Sequence, residues 1–460
     1  MIPAPLVVIF GGALLTVSAT VGTAPAVAAP PTREHIVVIL QQNHSYDAYF
    51  GAYPRGDGGH RQVVEQERED ESTVAAAPFE SADVGRFRTA GEEPLSNGQL
   101  AARSAVHDGA MDNFVRAQTR RGFDPALAMR YWTRDQVPGL WSLADDNVLL
   151  DRYFSSAMGG SLVNMLFLVA GDNHGYVEGT KESLRGLTTD DVSTLFDQLH
   201  AAGRSWNFYV GPLDRIDGDD VVDGTYFAPE KTTPSALYWA PILSMRRFWT
   251  DPELRRSIVD QEAFYEDAAD GTLPDVSFVL PLPTDHPVQS PTIHDRRLVS
   301  LVNALGKGPD WRSTTTFVVW DDWGGFYDHV PPPQVDAAGY GVRLPALVIS
   351  PYARRGFVSH QQYDHTSVLG YIEDRNGLAR LSSRPTPPNP FEEAFDRTQV
   401  PRRRTYRLGT LPDPSVGTPT QNRSLIALYG IAVAGAILVL LLGSRSLRVR
   451  RWLRPGPGSG

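Results

Sequence analysis

Short runs of β-branched and aromatic residues alternate along the chain with stretches whose apolar positions recur every three or four residues. His35–Leu40 (HIVVIL), Trp206–Val210, Val276–Leu280, Thr316–Trp320 (TFVVW) and Ala346–Ser350 are continuous apolar runs. Such runs predict strands buried on both faces. Between the third and fourth of them, Leu298, Leu301, Val302 and Leu305 keep i, i+3, i+4, i+7 spacing and predict an amphipathic helix. A second helix is expected over about Val192–Ala202, stopped by Gly203. Strands separated by helices predict an α/β domain with a mostly parallel central sheet covered by helices on both faces. Ligands in such sheets gather at the carboxyl ends of the strands. The Glu-, Asp- and Gln-rich stretch 62–75 predicts a solvated insertion loop.

The same pattern breaks down at the two ends. Residues 1–30 carry no charged side chain, run apolar from Ile2 to Val21, and then turn to small residues around Ala26-Val27-Ala28. That order predicts a signal peptide over 1–28, with an uncleaved anchor as the alternative because the basic start of such a signal is missing. Residues 424–443 (SLIALYGIAVAGAILVLLLG) are uncharged and match the roughly 20 residues that cross a bilayer. Arg445, Arg448, Arg450, Arg451 and Arg454 follow at once, and a basic flank of this kind stays on the cytoplasmic side. The expected plan is an exported body over 33–381, a Pro/Arg-rich stalk over 382–423, a transmembrane helix over 424–443 and a basic cytoplasmic tail over 444–460. The body would sit on the extracytoplasmic side of the cell membrane, held by one helix.

Composition narrows the chemistry. A formal charge of −10 argues against a nucleic-acid partner, since neutralising phosphates needs clustered Lys and Arg. Cysteine is absent, so any metal or nucleophile must rely on oxygen and nitrogen groups.

Three stretches carry candidate chemistry. Asp321 and Asp322 end the Thr316–Trp320 strand; adjacent carboxylates repel unless a cation lies between them, although an Asp-rich turn would also account for them. Gln42 and Asn43 stand just past the His35–Leu40 strand, on the same edge of the sheet, where Asn also serves as a turn former. Gly159-Gly160-Ser161 lead into an apolar helical run; Ser161 is either a helix cap or a serine whose neighbouring backbone N–H groups and helix dipole favour a phosphate oxyanion. His286, His329 and His365 are candidates for phosphate contacts or for protonating a leaving group, or are structural.

Taken in order, these motifs resemble one family: the bacterial phospholipase C and acid phosphatase phosphoesterases of the alkaline phosphatase superfamily. HIVVILQQNHSYDAYFG is similar to that family's opening strand and its QENRSFDHYFG signature, and HDGAMDNFV (His107–Val115) to NGGKMDGFV. SAMGGSLVNMLFLVAG, TDHPVQSP, FVVWDDWGGFYDHVPPP, VRLPALVISPYARRGFV and YDHTSVLGYIE follow in register, so the likeness runs from about His35 to Leu381. The resemblance implies an alkaline phosphatase-like fold and one divalent metal ion held by Gln42, Asn43, Ser161, Asp321 and Asp322. It further implies Ser161 as the nucleophile, His286 and His329 as catalytic histidines, and Asn97, Asn164 and His365 as substrate contacts. The implied substrate is a phosphate mono- or diester, a class that in this family includes phospholipid head groups, and the tether favours substrates at the cell envelope. Gln42 stands where the family has Glu, Asn97 where a His is usual, and Leu162, Val163 and Met165 where His or Trp, Pro and Arg flank the nucleophile. These departures imply, as the alternative, a catalytically impaired member acting as a binding or scaffold protein of the cell envelope.

Overall fold

The computed structural model describes residues 34–59, 65–67, 73–75, 77–78, 95–118, 125–176, 192–211, 240–281, 291–403 and 405–407. Eight strands form one sheet: β1 His35–Gln41, β2 Val148–Leu150, β3 Trp206–Val210, β4 Ile258–Val259, β5 Val276–Leu280, β6 Thr314–Trp320, β7 Ala346–Ile349 and β8 Phe357–Ser359, in the order β8-β2-β7-β6-β1-β5-β3-β4. Within this sheet the described pairings are parallel except those of β7, which runs antiparallel to both β6 and β2. The five strands expected from apolar runs are all present, and β6 begins two residues earlier than its pattern suggested. The short strands β2, β4 and β8 add to them.

Central position explains the composition of β1, β5 and β6. Every residue of these strands is buried, so neither face meets water and alternation of polar and apolar residues would be unfavourable. Val37, Val38 and Ile39 are fully enclosed, each worth about 1.5–3 kcal/mol of burial.

The principal helices are α1 Tyr46–Phe50, α2 Gln99–Val106, α3 Pro138–Asp146, α4 Ser161–Ala170, α5 Leu195–Ala201, α6 Ala263–Asp270, α7 Pro291–Lys307 and α8 His365–Asn376. Six of them pack in two groups, α4 with α5 and α8, and α3 and α6 with α7. The helix expected near Val192 starts at Leu195 because Thr194 forms a capping box with Asp197 there.

Two expectations need correction. Within the stretch expected as a solvated loop, Glu65–Glu67 pairs antiparallel with Thr73–Ala75, and Gln66 is buried. Its amide donates to Met111 O at 2.8 Å and accepts from Phe114 N at 2.8 Å, which ties a polar strand to the body. The segment after Leu381, expected to begin a stalk, instead contacts the domain at described residues up to Tyr406. Arg384 bonds Asp336 at 2.7 Å and Asp364 at 2.9 Å, Phe391 is buried, and Trp311 Nε1 donates to Arg402 O at 2.6 Å. Among the described residues no helix is long and apolar enough to cross a membrane. Residues 1–28 and 424–443 lie outside the described residues.

Candidate active site

Parallel pairing of β1 and β6, with Gln41 opposite Trp320, brings the residues after both strands together. Asp321 N donates to Gln41 O at 3.1 Å, and Asn43 N donates to Asp321 Oδ1 at 2.8 Å. Asn43 adopts a φ of 55°, a left-handed conformation that asparagine tolerates better than most residues. The turn past β6 is equally constrained. Gly324 has a φ of 63°, and a Cβ there would lie 1.8 Å from Asn43 O. Its N–H donates to Asp322 Oδ1 at 2.7 Å, so glycine lets backbone reach this carboxylate.

Asp322 is the hub. Asn43 Nδ2 donates to its two oxygens at 3.0 and 3.1 Å, and Asn97 Nδ2 at 3.0 and 2.9 Å. Ser161 Oγ donates to Asp322 Oδ2 at 2.9 Å. Thus Asn43, Ser161, Asp321 and Asp322, read from separate stretches of the sequence, and Asn97, implied by the resemblance, meet in one place. Ser161 opens α4 after Gly160, with no side chain capping the helix, so its first backbone N–H groups remain available to an anion.

The electrostatics are those of crowded carboxylates. Burial first, and then the adjacent charge of Asp322, push the pKa of Asp321 well above its ordinary value. Asp321 Oδ2, Asn43 Oδ1 and both amide atoms of Gln42 are buried with no hydrogen-bond partner. Unpaired buried polar atoms are costly and call for an explanation. Oxygens from two carboxylates and two amides are the donor chemistry of a hard divalent cation, whose charge would offset Asp321 and Asp322. The residues fit the implied metal.

A second acidic cluster, Asp47, Asp328 and His329, has ligand atoms within 4.8 Å of one another. Here the chain supplies its own cation. Fully buried Arg343 donates to Asp328 Oδ1 at 2.9 Å and to Asp47 Oδ1 at 3.2 Å, and its Nη2 lies 3.2 Å from His329 Nδ1. Burial raises the pKa of Asp328 to about 6 against the opposing pull of Arg343. Burial also disfavours the charged ring of His329, yet the hydrogen bond and charge of Asp47 raise its pKa overall. A metal ion would have to displace or face the guanidinium, so these residues form a buried ion-pair network. Sequence reading missed Asp47, Asp328 and Arg343; the signal was charged residues embedded among apolar ones in SYDAYFG, FYDHV and GVRLP.

Three residues expected to act on substrate are engaged otherwise. His329 Nδ1 bonds Asp47 Oδ2 at 2.7 Å, and the ring shares no hydrogen bond with Ser161, Asp321 or Asp322. Asn164 is buried: its Oδ1 accepts from Ala157 N at 2.9 Å and its Nδ2 donates to Gly159 O and Gly160 O, each at 3.1 Å. These bonds shape the loop before Ser161. His365 is also buried, with Nδ1 3.1 Å from Ser156 Oγ and Nε2 2.9 Å from Trp320 O. Burial lowers its pKa to about 4, so the ring is neutral and pins α8 to the end of β6. Leu162, Val163 and Met165 are buried as the packed side of α4. His286 lies outside the described residues.

The profile of the Phosphoesterase family matches residues 33–379. Phospholipase C B of Mycobacterium tuberculosis is 28% identical over 438 residues, covering 83% of this chain and 79% of its own. Non-hemolytic phospholipase C of Pseudomonas aeruginosa is 26% identical, covering 79% of this chain and 59% of its own. Non-specific phospholipase C6 of Arabidopsis thaliana is 24% identical, covering 85% and 77%.

Proposed function

The chain belongs to the Phosphoesterase family and is a hydrolase acting on phosphoester bonds, and on that premise we propose that Ser161 attacks the phosphorus of a phosphate mono- or diester. The observation that carries this reading is the 2.9 Å hydrogen bond from Ser161 Oγ to Asp322, beside buried oxygens that lack partners. As the Oγ–phosphorus bond forms, the serine proton passes to Asp322 and the ester's alcohol departs. Water then attacks the phosphoseryl intermediate and passes its proton to His286; phosphate from a monoester, or a phosphomonoester from a diester, leaves as Ser161 Oγ takes back its proton from Asp322. The uncapped N-terminus of α4 favours the negative phosphoryl oxygens throughout. A divalent cation bound by Gln42, Asn43, Asp321 and Asp322, with Ser161 adjoining, would lower the serine pKa and offset phosphate charge. His286 is the proposed proton donor to the leaving alcohol, on sequence grounds. His329 is proposed to position Asp47.

The tether expected over 424–443 supports an extracytoplasmic enzyme held at the cell membrane, and the phospholipase C relatives support a lipid-derived ester as substrate. A catalytically impaired binding protein is the competing reading, favoured by the neutral amide of Gln42. Hydrolysis of 4-nitrophenyl phosphate and bis(4-nitrophenyl) phosphate, compared between the full chain and Ser161→Ala, decides between them. The serine mechanism predicts that turnover falls by about 10³-fold or more in the variant. A folded wild-type chain that releases no nitrophenol from either ester would establish the binding-protein reading.

A further inference from the structure

Beside the Ser161 centre lies an open cleft of about 360 Å³. One wall is Ala157 and Met158, which lead directly into Gly159-Gly160-Ser161, with Val163 two residues beyond the serine. The facing wall is α2: Gln99 and Arg103, one helical turn apart, line the cleft just after Asn97, whose amide holds Asp322. Tyr176 adds an aromatic surface. Both walls are thus continuous with residues hydrogen-bonded to the Asp322 carboxylate.

The cleft is largely apolar, but its charge is set by Arg103. That side chain is exposed and forms no ion pair with a described residue, and no carboxylate lines the cleft among the described residues. An unpaired guanidinium favours a carboxylate or phosphate in the ligand and disfavours an ammonium. We propose that this cleft receives the organic group of the phosphoester, and that Arg103 selects esters whose apolar group bears an anionic substituent over those bearing a quaternary ammonium. The proposal rests on the phosphoesterase reading for the position of the phosphorus.

The test compares 4-carboxyphenyl phosphate with 4-(trimethylammonio)phenyl phosphate as substrates of the full chain, Arg103→Gln, Arg103→Glu and Arg103→Lys. Comparing each pair within one variant separates leaving-group reactivity from recognition. Calorimetric binding of the matching arylphosphonates supplies a readout independent of turnover. The expected result is a carboxylate preference that falls about fivefold in Arg103→Gln, as for a solvent-facing ion pair. The preference reverses in Arg103→Glu and is kept in Arg103→Lys. Equal preferences in all four proteins, by rate and by binding, overturn the proposal. If the esters are hydrolysed with an Arg103-independent preference, the cleft assignment fails while the phosphoesterase reading stands. If the phosphonates bind with the Arg103-dependent preference but no ester is hydrolysed, the cleft assignment stands and the hydrolytic reading fails.

Discussion

Gln42 is fully buried with both amide atoms unpartnered, at the end of β1 where it runs beside β6 and Asp321. An amide oxygen ligates a hard cation more weakly than a carboxylate does. Gln42→Glu is therefore expected to tighten divalent-metal binding by about tenfold, read by calorimetric titration of the chelator-stripped chain. An unaltered affinity would mean that this side chain does not ligate. At this scale the sequence was legible where polar residues interrupt apolar runs at strand ends, as with Asn43, Asp321 and Asp322. It was not legible where a polar side chain props the site from behind. Asn164 and His365 have the residue types of substrate contacts, and only tertiary packing reveals that their polar atoms already have partners. Arg343 was hidden because its partner Asp47 is 296 residues away along the chain.

Two buried polar ties hold the elements that carry the site. The first is His365, whose pKa is lowered by burial from an ordinary 6.5 to about 4. Between these values the unfolded chain takes up a proton that the folded chain refuses. Its contribution is fully present above pH 6.5 and is lost as pH falls toward 4, by about 3 kcal/mol in all. Urea denaturation at pH 7.5 and 5.0 is expected to show a smaller acid loss in His365→Gln than in wild type; an equal loss would refute the assignment. The second tie is Arg343, which joins α1, the turn after β6 and the strand edge at Asp151. Arg343→Met leaves Asp47 and Asp328 buried without their cation and is expected to cost about 3–5 kcal/mol, seen as a lower urea midpoint. A midpoint like that of wild type would show the network to be dispensable. Long apolar strands such as β1, β5 and β6 were readable because burial on both faces fixes their composition. The two- and three-residue strands β2, β4 and β8 were not, since their pairing is set by neighbours distant in sequence.

For the molecule as a whole, Glu34 and the segment around Arg402 lie near the amino ends of β1 and β6. Glu34 precedes β1, and Arg402 and Tyr406 bond Trp311 and Asn303, which lie before β6. Asn43, Ser161 and Asp322 gather at the opposite end, beyond the carboxyl ends of β1 and β6. An apolar anchor following this body would therefore act by localisation. Removing residues 421–460 is expected to release the protein from the membrane fraction while kcat/KM on soluble aryl phosphates stays within about twofold. A collapse of activity with the fold intact would assign the terminal segment a part in catalysis. On the proposed mechanism, Ser161 and the buried oxygens around Asp321 and Asp322 work as one metal-dependent centre. Its most direct test is the rate of bis(4-nitrophenyl) phosphate hydrolysis by the full chain, stripped with chelator and then given back a divalent cation. The centre predicts that activity disappears on stripping and returns on adding the cation; undiminished hydrolysis in the chelator-stripped protein would contradict it.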